Sequence, residues 1–304
     1  MTGSLATAYD ALPAIERRFP DFGSSAADLT DQWGVEFFLA SNQSLRSHLN
    51  EMPYGHKLSW LDFTDLGDKD WSTGEFLDLF NVINGIAFGD RGIPMPQWVM
   101  VDLILMPSAA IIAGLSQDAF AAMVDKSTFL FDSDVKAHLR AVLDKVRLTR
   151  YTGPMPVGGY CAAPSVAPGT WVGWSLWSLM PDVGLGRAVK ALALSAYRAN
   201  KLDGVTQYDN HALRIHTRFG ALRVLVATVP FHTSPGSFVY ESDFTISATH
   251  AGLDPSFLLD PSDYDRQRAM QAAIEADRAE YYVLPPGHVA AGGSALVPVL
   301  EVSR

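Results

Sequence analysis

The stretch from Trp171 to Ala199 restricts the fold of this chain more than any other. Trp171 to Met180 is a run of β-formers that leads directly into Pro181-Asp182-Val183-Gly184-Leu185-Gly186. Arg187 to Ala199 then carries strong helix formers, with Val189, Leu192, Ala193 and Ala196 on one face. A strand, a glycine loop and a helix in that order aim free backbone N–H groups and the positive end of the helix dipole at one point, which suits a phosphate. Gly184 and Gly186 lack the third glycine of a dinucleotide-binding fingerprint and the Gly-Lys-Ser/Thr of a P-loop, so taken alone they read as a tight turn or an anion site.

The neighbouring pattern places this unit inside a sheet. Val157 to Ala163 reads as a strand, separated from the next by the Pro164 to Gly169 connection. Gly204 to Tyr208 is a short strand, Asp209 or Asn210 can cap a helix running through Phe219, and Gly220 can end that helix in a left-handed turn. Leu222 to Phe231 and Phe238 to Phe244 form two more strands, joined by Thr233-Ser234-Pro235-Gly236 as a hairpin turn. Upstream, Leu5 to about Asn50 has helical spacing in pieces and reads as an accessory helical layer, with Ser25 as a cap. Lys57 to Asp65 alternates as a strand, and Asp70, Ser72 or Thr73 caps a helix bearing Phe76, Leu79, Phe80 and Ile83. Trp98 to Met106 and Ala110 to Leu115 make a hairpin or two consecutive strands, and Gln117 to Val146 makes one or two helices. Downstream, Pro261 to Tyr281 reads as a charged helix and Ala295 to Val302 as a final edge strand.

Val183 to Asn200 followed by Asp209 to Gly220 resembles the two central motifs of the Gcn5-related N-acetyltransferase (GNAT) superfamily. In that family a strand ends in an Arg/Gln-x-x-Gly-x-Gly/Ala loop that holds the pyrophosphate of coenzyme A, and a later helix ends in an apolar residue plus Gly-Phe. The corresponding pieces here are Val183-Gly184-Leu185-Gly186-Arg187-Ala188 and the run from Asp209 through His216 and Phe219-Gly220 to Ala221. The motifs cover about a quarter of the chain, and the strand pattern extends the likeness from Lys57 to Phe244. Two departures stand out. The Pro181 to Gly184 loop is shorter than the family's and lacks its Arg/Gln, although Arg187 sits one step into the helix. His216 also stands four residues before the glycine, where the family commonly has a tyrosine.

The resemblance implies an α/β fold: a mixed, mostly antiparallel twisted sheet flanked by helices. It divides the chain into a helical extension (1–50), an acyltransferase domain (51–246) and a C-terminal helix and edge-strand extension (247–304). The implied co-substrate is an acyl-CoA, or a phosphopantetheine thioester on an acyl carrier protein, which has no such pyrophosphate to grip. The implied donor-binding residues are Ser178, Leu179, Met180, Val183, Gly184, Leu185, Gly186, Arg187 and Asn210, with backbone amides near Ser178 to Met180 facing the developing oxyanion. His216 would protonate the leaving thiolate, since a thiol of pKa about 8.5 leaves beside an imidazolium of about 6.5. For the base, Asp102, Asp209 and Glu241 lie on or beside strands, where each can equally be a cap, an edge residue or a paired charge, and a water chain can substitute. The implied reaction moves an acyl group to an amine of a small molecule. A thioester decarboxylase or other lyase on the same fold, and a non-catalytic ligand-binding protein, stay open beside it.

Composition bounds the partners. Acidic residues outnumber basic ones by 33 to 23, and no Lys/Arg run exceeds a pair, which argues against a nucleic-acid partner. The apolar stretch Trp98 to Leu115 is broken by Asp102, Pro107 and Ser108, so no membrane span is expected, and the start of the chain has no basic-then-apolar leader. The expectation is a cytoplasmic protein, acting on a small molecule and compatible with a homodimer. The only cysteine, Cys161, lies in a strand-like run and reads as a buried small residue. His211 and His216 are five apart and point to different helix faces, so no metal is expected. Ser175 lacks the second glycine of a nucleophile elbow. Trp171 and Trp177 share one strand face and Trp174 takes the other.

Overall fold

The computed structural model describes residues 22–41, 73–88, 109–126, 133–167, 169–196, 199–229, 236–244, 253–291 and 294–304. The expected strand Lys57 to Asp65, the caps Asp70 and Ser72, the run Trp98 to Met106 with Asp102, and the turn residues Thr233 to Pro235 lie outside them. The described residues form a mixed α/β structure of seven α-helices and eleven strands, and the sheet is mostly antiparallel. None of the described helices is long and apolar enough to cross a membrane. Two compact units divide the chain. One comprises Phe19–Pro164 and Trp174–Tyr197, the other Ser165–Gly173 and Arg198–Arg304, apart from a segment at the start of the chain.

In the first unit, α1 (Phe22–Trp33) ends where Gly34 takes φ 68° and returns its N–H to Thr30 O at 2.9 Å. The next residues form strand β1 (Glu36–Ser41), which corrects the expectation of continuing helix. Gly34 stops the helix, and Glu36-Phe37-Phe38 buries both aromatic rings once paired antiparallel with β2 (Ala109–Leu115). Helix α2 (Thr73–Phe88) buries Phe76, Phe80 and Ile83 as their spacing requires. The Gln117 to Val146 region resolves into two helices, α3 (Gln117–Lys126) and α4 (Ser133–Arg147). Strand β3 (Met155–Pro164) pairs antiparallel with β2 and is followed by β4 (Thr170–Ser178). Helix α5 (Leu185–Ala196) packs on β2, β3 and α1. Trp177 meets Phe80 of α2 edge-on, with ring centroids 5.3 Å apart. Trp171 and Trp177 are buried and Trp174 is exposed, the alternation that a strand demands.

In the second unit the first four residues of β4 pair in parallel with β5 (Lys201–Gln207), Thr170 against Lys201 through Gly173 against Gly204. From β5 the order runs β7 (Ser237–Asp243), β6 (Leu222–Val226), β9 (Ala279–Val283), β11 (Ser294–Ser303), all antiparallel. β8 (Phe257–Leu259) and β10 (Val289–Ala291) also pair with β11. Between β5 and β6 lies α6 (Leu213–His216) with a 3₁₀ turn, and α7 (Tyr264–Glu275) precedes β9. The unit closes on Tyr208, Leu213, Phe238, Tyr240, Met270, Tyr281, Val297 and their neighbours.

Four expectations are corrected here. The Pro261 to Tyr281 helix stops at Glu275, because Asp277 adopts φ 53° and Ala279-Glu280-Tyr281-Tyr282-Val283 has the β-rich alternation that pairs with β11. The final strand is interior to the sheet, lying between β9 and β10, even though it contains Pro298. The Asp209 to Phe219 helix shrinks to four α residues, since the N–H groups of Leu213, Arg214 and Ile215 each bond three residues back and wind the turn tightly. Gly220 does take positive φ, but at φ 121° and ψ 175° it is extended, not the left-handed helical turn expected.

Candidate active site

The glycine loop follows β4 in the first unit. Leu179 N–H donates to Val157 O of β3 at 2.8 Å, and Met180 N–H donates to Ser178 Oγ at 3.0 Å. Two of the three amides expected to face an oxyanion are therefore engaged elsewhere, which narrows that expectation to Ser178. At the start of β4, Thr170 O accepts from Ser165 N–H at 2.8 Å, so the register against β3 slips by one residue between Thr170 and Leu179. The side chains alternate, with Ser175 and Trp177 buried and Leu176 and Ser178 half-buried. On the edge away from β3, the recorded pairing with β5 stops at Gly173, so Trp174 to Ser178 has no strand partner there among the described residues.

Beyond Met180 the backbone turns through Asp182 at φ 66° and Gly184 at φ 87°. Ala188 N–H donates to Gly184 O at 3.0 Å, so Gly184 is the residue from which α5 starts. The amides of Leu185, Gly186 and Arg187 thus precede the first intrahelical bond. A Cβ built on Gly184 would meet nothing within 4 Å, so the loop is open at that point. Val183 and Arg187 are half-buried, while Leu185 and Gly186 are buried. Leu185 anchors the loop: a Cβ on Gly158 of β3 would lie 3.0 Å from its Cδ2, so the missing side chain at Gly158 permits that approach.

The remaining expected residues belong to the second unit. Asn210 Oδ1 accepts from Ala212 N–H at 2.8 Å while its Nδ2 donates to Gln207 Oε1 at 2.9 Å, so Asn210 caps the turn after β5 and Asp209 stays exposed. His216 is only 6% exposed, with its ring against Tyr240 at 5.2 Å between centroids. Tyr240 lies opposite Gly204, where a Cβ would come within 2.6 Å of its ring, so glycine is what lets the ring lie on β5. Burial, then the charge of Asp203, pushes the Tyr240 hydroxyl well above the ordinary phenol range. Glu241, the next residue, faces the other side of the sheet, so the fold does not bring it to His216. It accepts from Lys201 at 3.4 Å and Arg223 at 3.0 Å and stands in register with Asp203. Desolvation, reinforced by the Glu241 charge, raises the Asp203 carboxyl above its ordinary range. Glu241 is a paired charge, one of the alternatives its sequence position left open.

Two titratable residues were not singled out by the sequence. Lys190 of α5 is fully buried, its Nζ 5.9 Å from the centre of the Tyr160 ring, and burial lowers its pKa to about 7. The signal was present: it is the single charge in Ala188-Val189-Lys190-Ala191-Leu192-Ala193-Leu194. His288, in the loop after β9, is 5% exposed and its Nε2 lies 2.6 Å from Tyr208 O. Cys161 is buried, and desolvation pushes its thiol up to about 12, which leaves it inert. No group of three or more His, Cys, Asp or Glu side chains arranged to hold a metal occurs among the described residues.

Solved structures similar to this chain are named as acetyltransferases. A candidate N-acetyltransferase from Lactobacillus plantarum is 11% identical, with a TM-score of 0.34 over 57% of this chain and 93% of its own. A candidate acetyltransferase of the GNAT family from Desulfovibrio desulfuricans is 19% identical, with a TM-score of 0.27 over 45% and 99%. A candidate acetyltransferase from Salmonella typhimurium, solved with acetyl-CoA, is 16% identical, with a TM-score of 0.25 over 47% and 98%. No protein-family profile and no curated protein sequence matches the chain.

Proposed function

We propose that this protein transfers an acyl group from a thioester, either an acyl-CoA or an acylated phosphopantetheine arm, to an amine of a small molecule. The observation that carries the reading is the course of β4. It pairs in parallel with β5 only as far as Gly173, continues to Ser178, and runs into the open Gly184 turn that starts α5. Amides on an unpaired strand edge suit the amide groups of a pantetheine arm, as an added strand would. The helix-start amides after Gly184 suit a phosphate, and Arg187, three residues on from that glycine, adds a positive charge. In this reading the protein works in the cytoplasm and needs no metal.

A thermal-shift series with acetyl-, malonyl- and longer acyl-coenzyme A, and with an acylated carrier protein, tests the donor. Thiol release in the presence of a panel of amines then tests the reaction, and the only cysteine, Cys161, is buried and gives little background. Stabilisation by at least one thioester is expected; none by any of them overturns the proposal. Decarboxylated product from malonyl-thioester without an amine would replace transfer by lyase chemistry.

A further inference from the structure

Two consecutive glycines of β3 fix which helix covers which side of the sheet in the first unit. A Cβ on Gly158 would meet Leu185, the first residue of α5, at 3.0 Å. A Cβ on Gly159 would meet Phe80 of α2 at 2.8 Å and the Trp177 ring nitrogen at 3.2 Å. Helices α5 and α2 therefore lie on opposite faces of β3, and Trp177 of β4 is on the α2 face. Ser178 follows Trp177, and the alternation of buried Ser175 and Trp177 with half-buried Leu176 and Ser178 holds up to it. The Ser178 side chain thus projects on the other face, where α5 begins. Its Oγ accepts from Met180 N–H at 3.0 Å, and among the described residues its own proton goes to no acceptor. Accepting from an amide makes a hydroxyl a better donor, because each bond in such a chain polarises the next.

We propose that the Ser178 hydroxyl donates to the carbonyl oxygen of the bound thioester and stabilises the negative charge that this oxygen gains on attack. This rests on the acyl-transfer reading above. It gives the Ser178 side chain the part that the Leu179 and Met180 amides, both engaged within the fold, do not take. The amine nitrogen forms a C–N bond to the carbonyl carbon, and the π pair of the carbonyl moves onto oxygen beside Ser178 Oγ–H, which keeps its proton. The pair then returns, the C–S bond breaks and the sulfur leaves as thiolate. Through water the thiolate takes up the proton that the nitrogen sheds, so the products are an amide and a free thiol.

Ser178→Ala, Ser178→Thr and Ser178→Asp separate donation from holding the turn. Alanine has neither donor nor acceptor, threonine keeps both, and the aspartate carboxylate still accepts from Met180 N–H but has no proton to give. The probe is whichever of acetyl-, malonyl- or longer acyl-coenzyme A, or acylated carrier protein, stabilises the wild type, labelled with ¹³C at its thioester carbonyl. The kcat of thiol release should fall about 100- to 1,000-fold in the alanine variant, at least as far in the aspartate variant, and largely recover with threonine. Infrared difference spectra should place the carbonyl band of the probe at lower frequency on the wild type than in solution, and alanine should abolish that shift. Wild-type kcat in the alanine or the aspartate variant, or a band shift that survives in the alanine variant, overturns the proposal and leaves the transfer reading standing. If substitution at 178 prevents folding, the wild-type spectrum decides, and an unshifted band overturns the proposal. Absence of both stabilisation and thiol release with every thioester sinks the transfer reading and this proposal with it.

Discussion

Lys190 offers a quantitative test of the α5 packing. Burial drops its pKa from 10.5 to about 7, the only cause identified for the shift. At about 1.4 kcal/mol per tenfold change, this corresponds to a penalty of about 5 kcal/mol for holding the charged form inside the protein. The folded pKa is the lower one, so between pH 7 and 10.5 the unfolded chain binds a proton that the folded chain has released. Stability from this group therefore rises with pH across that window, and below pH 7 the full penalty applies. Replacement by methionine keeps length and volume and removes the titration. Lys190→Met should be more stable than the wild type by about 3–5 kcal/mol at pH 6, after allowance for relaxation around the ammonium. The advantage should shrink by up to ~1.4 kcal/mol per pH unit and be nearly gone by pH 10. Urea melts of both proteins at pH 6, 7, 8, 9 and 10 measure the difference, in which groups common to both cancel. Parallel stability curves across that range would refute the reasoning, as would a methionine variant less stable at pH 6.

Other substitutions address the loops and the ion pairs. Gly287→Ala forces a methyl onto Leu213 O at positive φ and should destabilise by about 2–4 kcal/mol, read as a lower urea midpoint at unchanged slope. Gly184→Ala meets no neighbour, so only backbone strain of about 1 kcal/mol is expected; a thermal-shift titration should show a larger loss of thioester binding than of melting temperature. Glu241→Gln removes one of the influences that raise Asp203, so the Asp203 carboxyl should titrate at lower pH in ¹³C NMR. An unchanged value would mean desolvation alone sets it.

The elements that could be located from sequence were those whose local pattern and tertiary surroundings agree. The β4-loop-α5 unit lies within a few residues of its expected limits, because Gly184 is where the backbone needs positive φ and the helix formers begin directly after it. Disagreement arose where pairing across the sheet decided the outcome. Glu36-Phe37-Phe38 and Ala279 to Tyr281 fall within stretches expected as helix, yet Gly34 and Asp277 break the helices before them and pairing with β2 and β11 makes them strands. The Asp209 to Phe219 helix failed for a local reason, since three consecutive amides bond three residues back and Asn210 ties its own side chain into the turn. Within the candidate site, local order could place Asp209, Asn210 and His216 on one turn. It could not show that Ser178 holds the Met180 amide, or that His288 approaches Tyr208 from 80 residues away.

The contact between Gly204 and Tyr240 also bears on how this sequence can vary. Any side chain at 204 would have to enter the volume of the tyrosine ring, so the two positions are bound to drift as a pair: alanine or serine on β5 is tolerable only beside a smaller residue on β7. Descendants that lose the aromatic at 240 would also release the ring tilted against it, His216, and with it the constraint on what that histidine does.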